Sequence, residues 1–242
     1  VQLNPGAIEV LESLNKLKKR FVLMSNAPRP SKYIKNFLLK LNMNKILIQN
    51  VFTSGEAALQ SLRKQIYGKK FYHLGPARDS MLSEGFKENI TSLDKADFIL
   101  CTGFLENYED SLNYYKNLLK KYKNLKMVCA NPDLIVHRGP KQEYCAGTLA
   151  EIFKELGGDV IYFGKPYPEI YKFCIRKNEN ILVIGDSIHT DIKGANNMNL
   201  DSLLITSGIH KKDFLNIAQD DYDKILKKYE VKTNYYQAKL TW

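Results

Sequence analysis

Three polar turns, each ending an apolar run, carry the residues of this chain best suited to chemistry. Ser25-Asn26 follows Phe21-Val22-Leu23-Met24, and Lys165 follows Val160-Ile161-Tyr162-Phe163-Gly164. Asp186 follows Ile181-Leu182-Val183-Ile184-Gly185, and a second carboxylate, Asp191, comes five residues later. Singly, each has an ordinary explanation. Ser25-Asn26 reads as a helix cap or Asx turn, Lys165 as a loop lysine, and Asp186 as an N-cap shared with Ser187 or Thr190. Together they suit phosphate chemistry. A hydroxyl with adjacent backbone N–H groups holds phosphoryl oxygens, and a lysine sets a compact positive charge against a developing anion. A carboxylate with oxygen-rich neighbours suits Mg²⁺, which takes one or two carboxylates plus waters and phosphate oxygens. Asp191, at a helix start, is better placed to brace this loop or the lysine than to be a first metal ligand.

Other phosphate motifs fail. A P-loop ending at Lys165 needs glycine where Asp159 stands and Ser or Thr where Pro166 stands. No G-x-G-x-x-G follows an apolar run. Nucleoside-triphosphate and dinucleotide readings are therefore weak.

The elements that must position these turns alternate along the chain. Helical periodicity in AIEVLESLNKLKKR leads into the strand FVLM at 21–24, and KYIKNFLLKLN is helical again. ILIQNVFT reads as extended, and GEAALQSLRKQI as a helix. KKFYHLG, ADFILCTG and LKMVCAN read as strands, with the helix YEDSLNYYKNLLKKY before the last. Then come helix GTLAEIFKELG, strand DVIYFG, helix YPEIYKFCIRK, the buried strand ILVI at 181–184, helix HTDIKGANNMN and strand DSLLITSG. Such alternation predicts an α/β fold with mostly parallel sheets, whose ligands bind beyond the carboxyl ends of the strands.

At 242 residues the chain is long enough for one large or two modest domains with real cores. Its net charge of +10 raises the question of nucleic acid. The lysines, however, are scattered through helix-like segments such as NLLKKYKNLK, the pattern of solvated faces rather than of a basic arm. A nucleic-acid partner is not expected. The four cysteines form no C-x-x-C pair, have no histidines at zinc-ligand spacing, and read largely as buried thiols. No apolar run approaches the roughly 18–20 residues of a membrane helix. A cytoplasmic protein without a membrane partner is expected.

The order VLMSNAPRP, YFGKPYPEIY, VIGDSIHTDIKGA resembles motifs II, III and IV of the haloacid dehalogenase (HAD) superfamily. Lys165 lies 140 residues after Ser25, and Asp186 lies 21 after Lys165, which leaves room for a cap between motifs II and III. That placement, with G-K-P-x-P-E and G-D-x-x-x-T-D-I, resembles class IIA, the NagD-like and p-nitrophenyl-phosphatase-like branch. NPGAIEVLESL, VFTSGEAALQSL, CANPD, CAGTLAEIFKELGG and LLITSGIH extend the likeness over most of the chain.

The resemblance implies a Rossmann-like parallel-sheet core in two parts, 1–67 and 161–242, with an inserted α/β cap of C2 type at 68–160. It implies an Mg²⁺-dependent phosphatase acting on a small phosphorylated substrate, such as a sugar phosphate or nucleotide, through an aspartyl-phosphate. Ser25 and Asn26 would hold the phosphoryl group, and Lys165 would stabilise its charge. Asp186 would bind Mg²⁺, supported by Asp191. Asn131, Asp133 and Arg138, with His137 beside it, would face the substrate from the cap. Relatives are often dimers through the cap, so a homodimer is plausible.

Motif I, an apolar strand ending in Asp-x-Asp, precedes motif II in this family. The sequence from Val1 to Ser25 holds none, so the nucleophile is expected upstream of Val1 and the segment 1–242 is expected to be inactive alone. A family member that binds a phosphorylated ligand without turning it over is the alternative. A nucleic-acid binder, with steeply salt-dependent affinity, is a more distant rival.

Overall fold

The computed structural model describes residues 2–108, 111–138, 141–218 and 221–242, with 137, 138 and 141 described by backbone alone. The chain opens with α1 (Pro5–Lys16), β1 (Leu23–Ser25), α2 (Ser31–Lys40), β2 (Val51–Thr53) and α3 (Ser54–Arg63). Next come β3 (Phe71–Leu74), a 3-10 segment (Ala77–Asn89), β4 (Phe98–Cys101), α4 (Leu112–Lys120) and β5 (Lys126–Cys129). A hairpin of β6 (Ile135–Arg138) and β7 (Lys141–Tyr144) precedes α5 (Ala146–Glu155), β8 (Asp159–Tyr162) and α6 (Pro168–Cys174). The last stretch holds β9 (Leu182–Gly185), a π turn (Ile188–Ile192), α7 (Lys193–Asn197) and β10 (Asp201–Ile205). It closes with α8 (Lys211–Phe214), α9 (Tyr222–Lys228) and β11 (Tyr235–Gln237). The chain divides into two compact units, one of 1–23, 37–50 and 165–242, the other of 24–36 and 51–164.

The second unit is built on a parallel sheet of order β3-β4-β5-β8. All four residues of β4, Phe98-Ile99-Leu100-Cys101, are buried, as a strand covered on both faces requires. Alternate side chains serve opposite faces. Phe98, Leu100, Phe71 and Val128 join Ala57, Ala58, Leu59 and Leu62 of α3 in one apolar cluster. Cys101 instead points toward α5, its sulfur 4.0 Å from the carbonyl oxygen of Ala146. Leu74, Cys101, Cys129 and Tyr162 pair in register, so the strands end level and their following loops leave from one edge.

Residues 24–36 and 51–67 group with 68–164 in this second unit. The cause is α3, whose apolar face is buried against β3, β4 and β5 and whose first turn holds the loop after β1. Ser54 Oγ and the Gly55 N–H both donate to the Ala27 carbonyl, at 3.0 and 3.1 Å. Thr53 caps α3 by accepting from Glu56 N–H at 2.9 Å, while its hydroxyl donates to the Arg29 carbonyl at 2.6 Å. A side chain at Gly55 would meet the Arg29 backbone nitrogen at 2.3 Å, so this close approach requires glycine.

In the first unit β11, β10 and β9 form a parallel sheet in that order. Ile188, Ile192, Leu204, Phe214, Ile225, Leu226 and Val231 form its core cluster. The expectation of a buried strand at 181–184 is corrected here: Leu182 is 45% and Ile184 39% exposed. β9 pairs with β10, and an apolar run does not by itself say which face finds cover. Residues 46–50, expected as extended, form turns, and β2 begins only at Val51. Helix α1 stops at Lys16, before Lys18 takes a positive φ of 53°. The hairpin β6–β7, the 3-10 segment and the elements after Lys211 are not legible in the sequence pattern. Among the described residues, no helix is long and apolar enough to cross a membrane.

Candidate functional site

In the first unit, two of the three polar turns meet around Asp191. Its Oδ1 accepts from Lys165 Nζ at 2.5 Å, and its Oδ2 accepts from the Ser187 N–H at 3.1 Å. Both partners are largely shielded, with side chains 16% and 9% exposed for Lys165 and Asp191. The sequence produces this arrangement locally: Ser187 caps the π turn by accepting from Thr190 N–H at 3.3 Å, which brings Asp191 back beneath the loop. Gly185 permits it, since a Cβ there would meet the Asp191 carboxyl carbon at 2.2 Å. One carboxylate therefore holds both the lysine and the loop that follows β9.

Asp186 stands beyond the carboxyl end of β9, and the loop after β10 reaches it. Its Oδ2 accepts from the Ile209 N–H at 3.0 Å. Gly208 packs on it so closely that a Cβ would lie 2.2 Å from Oδ2. Nearby, the Tyr171 hydroxyl of α6 is buried with no hydrogen-bond partner among the described residues and lies where a Cβ on Gly194 would meet it at 2.1 Å. Burial first, and then the Asp191 charge, push the Tyr171 phenol well up. His189, on the π turn, has its pKa lowered, by burial first and then by His210 and Lys193.

In the second unit, Ser25, Asn26, Asn131 and Asp133 come together. Ser25 Oγ accepts from Ala27 N–H at 3.2 Å, a local turn that leaves the hydroxyl proton outside that bond. Asn26 Nδ2 donates to Asp133 Oδ1 at 2.8 Å across 107 residues of sequence. Asn131 Oδ1 accepts from Asp133 N–H at 3.1 Å, an Asx turn that fixes the loop after β5. Gly164, at a φ of 131°, lies against Pro132 and Asn26; a Cβ there would meet the proline ring at 2.5 Å. Ser25, Asn26, Asn131 and Asp133 line a cavity of about 360 Å³ at the level carboxyl ends of β3, β4 and β5, together with Arg29 and Asp79. Arg29 Nε donates to the buried Asp79 carboxylate at 3.1 Å. Arg138 falls in β6 opposite Lys141, but its side chain and that of His137 lie outside the described residues.

The profile of the haloacid dehalogenase-like hydrolases matches residues 1–88, and a second profile, described as HAD-hydrolase-like, matches 162–230. These segments carry all three polar turns. This chain belongs to the haloacid dehalogenase-like hydrolases. It is 27% identical over 216 residues to the ribonucleotide monophosphatase NagD of Escherichia coli K12, covering 86% of this chain and 83% of NagD. It is 25% identical to a dihydroxyacetone phosphatase of Corynebacterium glutamicum, covering 86% and 76% of the two chains. A haloacid dehalogenase-like hydrolase from Brucella suis superposes with a TM-score of 0.81 at 26% identity, over 99% of this chain and 90% of that one. The p-nitrophenyl phosphatase of Archaeoglobus fulgidus, at 17% identity and a TM-score of 0.76 over 98% and 90%, shares the fold. These relatives place the chain in the class IIA branch of the HAD hydrolases.

For a HAD hydrolase the fit of Mg²⁺ turns on the donors at Asp186. No hydrogen bond among the described residues claims its Oδ1, and Oδ2 is steadied by the Ile209 N–H. No cluster of three or more His, Cys, Asp or Glu side chains suited to a metal occurs among the described residues. One open carboxylate suits Mg²⁺, which keeps waters and shares phosphate oxygens, better than it suits an ion needing an all-protein cage. Sequence reasoning does not assign Ser187, Gly208, Ile209 or Tyr171 to the site. The one available signal is the glycine of TSGIH just after an apolar strand.

Proposed function

We propose that this HAD hydrolase is an Mg²⁺-dependent phosphatase of small phosphomonoesters. The observation that carries this is Asp191, which holds the Lys165 ammonium with one oxygen and the Ser187 N–H, next to Asp186, with the other. Such a device keeps a cation and a metal-binding loop in fixed geometry, as charge stabilisation during phosphoryl transfer requires. Ser25 and Asn26 bind the phosphoryl group, Lys165 offsets its charge, and Asp186 holds Mg²⁺. Bound there, Mg²⁺ neutralises phosphate oxygens. The phosphoryl acceptor is the motif I aspartate of the family. Residues 68–160 act as the cap, where Asn131, Asp133 and Arg138 select the substrate.

The names of NagD and the dihydroxyacetone phosphatase support phosphomonoesters as the substrate class. Four buried thiols fit a reducing compartment, which supports a cytoplasmic location. Light scattering is expected to show a homodimer at twice the monomer mass; a single-chain mass would remove that assignment. The activity is tested with the full-length protein. Asp186→Asn is expected to abolish Mg²⁺-dependent phosphate release while the circular dichroism spectrum is unchanged. Full activity in that variant would overturn the metal assignment, whereas a wild type that binds phosphomonoesters but releases no phosphate would support a binding-only protein.

A further inference from the structure

Beside the Asp186 and Lys165 site, the first unit gathers two of the chain's four histidines. His189 stands on the π turn after β9, and His210 precedes α8 in the loop after β10. Their rings lie 5.5 Å apart between centroids, with planes at 52°. Tyr229, just after α9, sits edge-on to both, 5.1 Å from His189 and 5.7 Å from His210, and packs on the core cluster. Asp213 of α8 fixes the His210 ring. The Nδ1–H donates to its Oδ2 at 3.1 Å, and the Tyr229 hydroxyl reaches toward the same oxygen at 3.5 Å. That bond sets the tautomer, so His210 Nε2 carries a lone pair. This Nε2 is buried with no hydrogen-bond partner among the described residues, on a side chain 11% exposed. A buried acceptor left unpaired costs free energy, so its place in the fold asks for a partner.

The arrangement fits a metal ion held by imidazole nitrogens. Two imidazoles sharing a tetrahedral ion, with metal–nitrogen bonds of about 2.1 Å, have ring centroids roughly 5 Å apart. The spacing of His189 and His210 is close to that. A carboxylate on the far nitrogen of a ligating histidine is the common outer support of such a site, since it orients the ring and raises its basicity. Asp213 occupies that place. His189 is exposed, so an ion has a way in. Lys193 opposes a cation beside His189 but stands in solvent, and the Asp213 carboxylate acts for one. Mg²⁺ prefers oxygen ligands, whereas imidazole suits Zn²⁺ and its neighbours. Water completes the set, because no third His, Cys, Asp or Glu side chain joins the pair among the described residues.

We propose that His189 and His210 form a second metal site, for Zn²⁺ or a similar imidazole-preferring divalent ion, separate from Asp186. The ion clips the π turn after β9 to the loop after β10. Those two loops also meet where the Ile209 N–H holds Asp186, so the clip steadies that carboxylate without touching it. The site does not depend on phosphate release. It is tested by isothermal titration of the full-length protein with zinc chloride in excess Mg²⁺. Wild type is expected to bind one Zn²⁺ per chain, and Asp186→Asn to bind it equally well. His189→Ala, at an exposed position, is expected to abolish that binding while the circular dichroism spectrum is unchanged. Asp213→Asn keeps both imidazoles and is expected to weaken binding about 10–100-fold. Zinc chloride is also expected to raise the melting temperature of wild type and not that of His189→Ala. No saturable binding in wild type, binding that survives His189→Ala, or binding lost in Asp186→Asn overturns the site. The last outcome places Zn²⁺ at Asp186 and leaves the phosphatase reading standing.

Discussion

Asp191 gives one oxygen to Lys165 and the other to the Ser187 N–H, so a single substitution there tests two connections at once. Removing one partner of a buried ion pair costs roughly 3–5 kcal/mol, because the other charge stays shielded and unpaired. Lys165 retains some solvent contact, so Asp191→Asn is expected at the lower end of that range by urea unfolding. Its phosphate release is expected to fall more than its Mg²⁺ affinity, since Asp186 keeps its own Ile209 bond. Equal stability of variant and wild type would show that the pair contributes nothing to the fold. The sequence leaves two alternatives for Asp191, a brace for the loop or for the lysine. The structure has the carboxylate do both, because a π turn capped by Ser187 brings it back under its own loop.

At the scale of elements, α6 and α7 meet where the Tyr171 hydroxyl faces Gly194. Gly194→Ala forces a methyl against a fully packed ring and is expected to cost about 1–3 kcal/mol. Tyr171→Phe removes a buried hydroxyl with no partner, so it is expected to be neutral or stabilising. In thermal melts the double variant should recover part of the Gly194→Ala loss, since the missing oxygen makes room; strict additivity would exclude the contact. The helices and most strands are legible because their apolar periodicity is local. β4 and β5 announce themselves as continuous apolar runs, and α3 by its amphipathic pattern. The hairpin β6–β7 is not legible, since IVHR and KQEY offer four residues each with little alternation. The exposure of Leu182 and Ile184 in β9 is equally hidden: ILVI reads the same whether or not its faces are covered.

For the molecule as a whole, burial of weak acids sets the alkaline limit of stability. Burial pushes the Cys129 thiol up to about 12, Cys174 up to about 11 and the Tyr115 phenol up to about 12, and raises Cys101 well above its usual value. Below the ordinary thiol pKa of about 8.5, both folded and unfolded states hold these protons, and stability does not depend on them. Above it the unfolded chain releases protons that the folded chain keeps, so stability falls as pH rises. In the window between the two values, Cys129 alone contributes a loss on the order of 1.4 kcal/mol per pH unit. Urea midpoints are expected to be level from about pH 7 to 8 and to drop steadily from about pH 9 to 11. A flat profile across that alkaline range would contradict the burial of these thiols, as would rapid thiol labelling of the native protein in mild alkali.

What the sequence determined by itself was the ordered set of polar turns, the α/β alternation behind them and the phosphate chemistry of their residue types. These follow from local rules, because an apolar run, a cap and a loop are each written within a few neighbouring residues. What only the tertiary structure decided was which distant residues share a surface. The Asn26–Asp133 bond spans 107 residues, and Phe104 and Tyr144 line the same cavity as Ser25 only because parallel strands end level. Packing of α3 against that sheet, and the open face of β9, were settled the same way. Apolar burial rewards any cover equally, so the partner each face finds depends on the whole chain rather than on the segment that presents it.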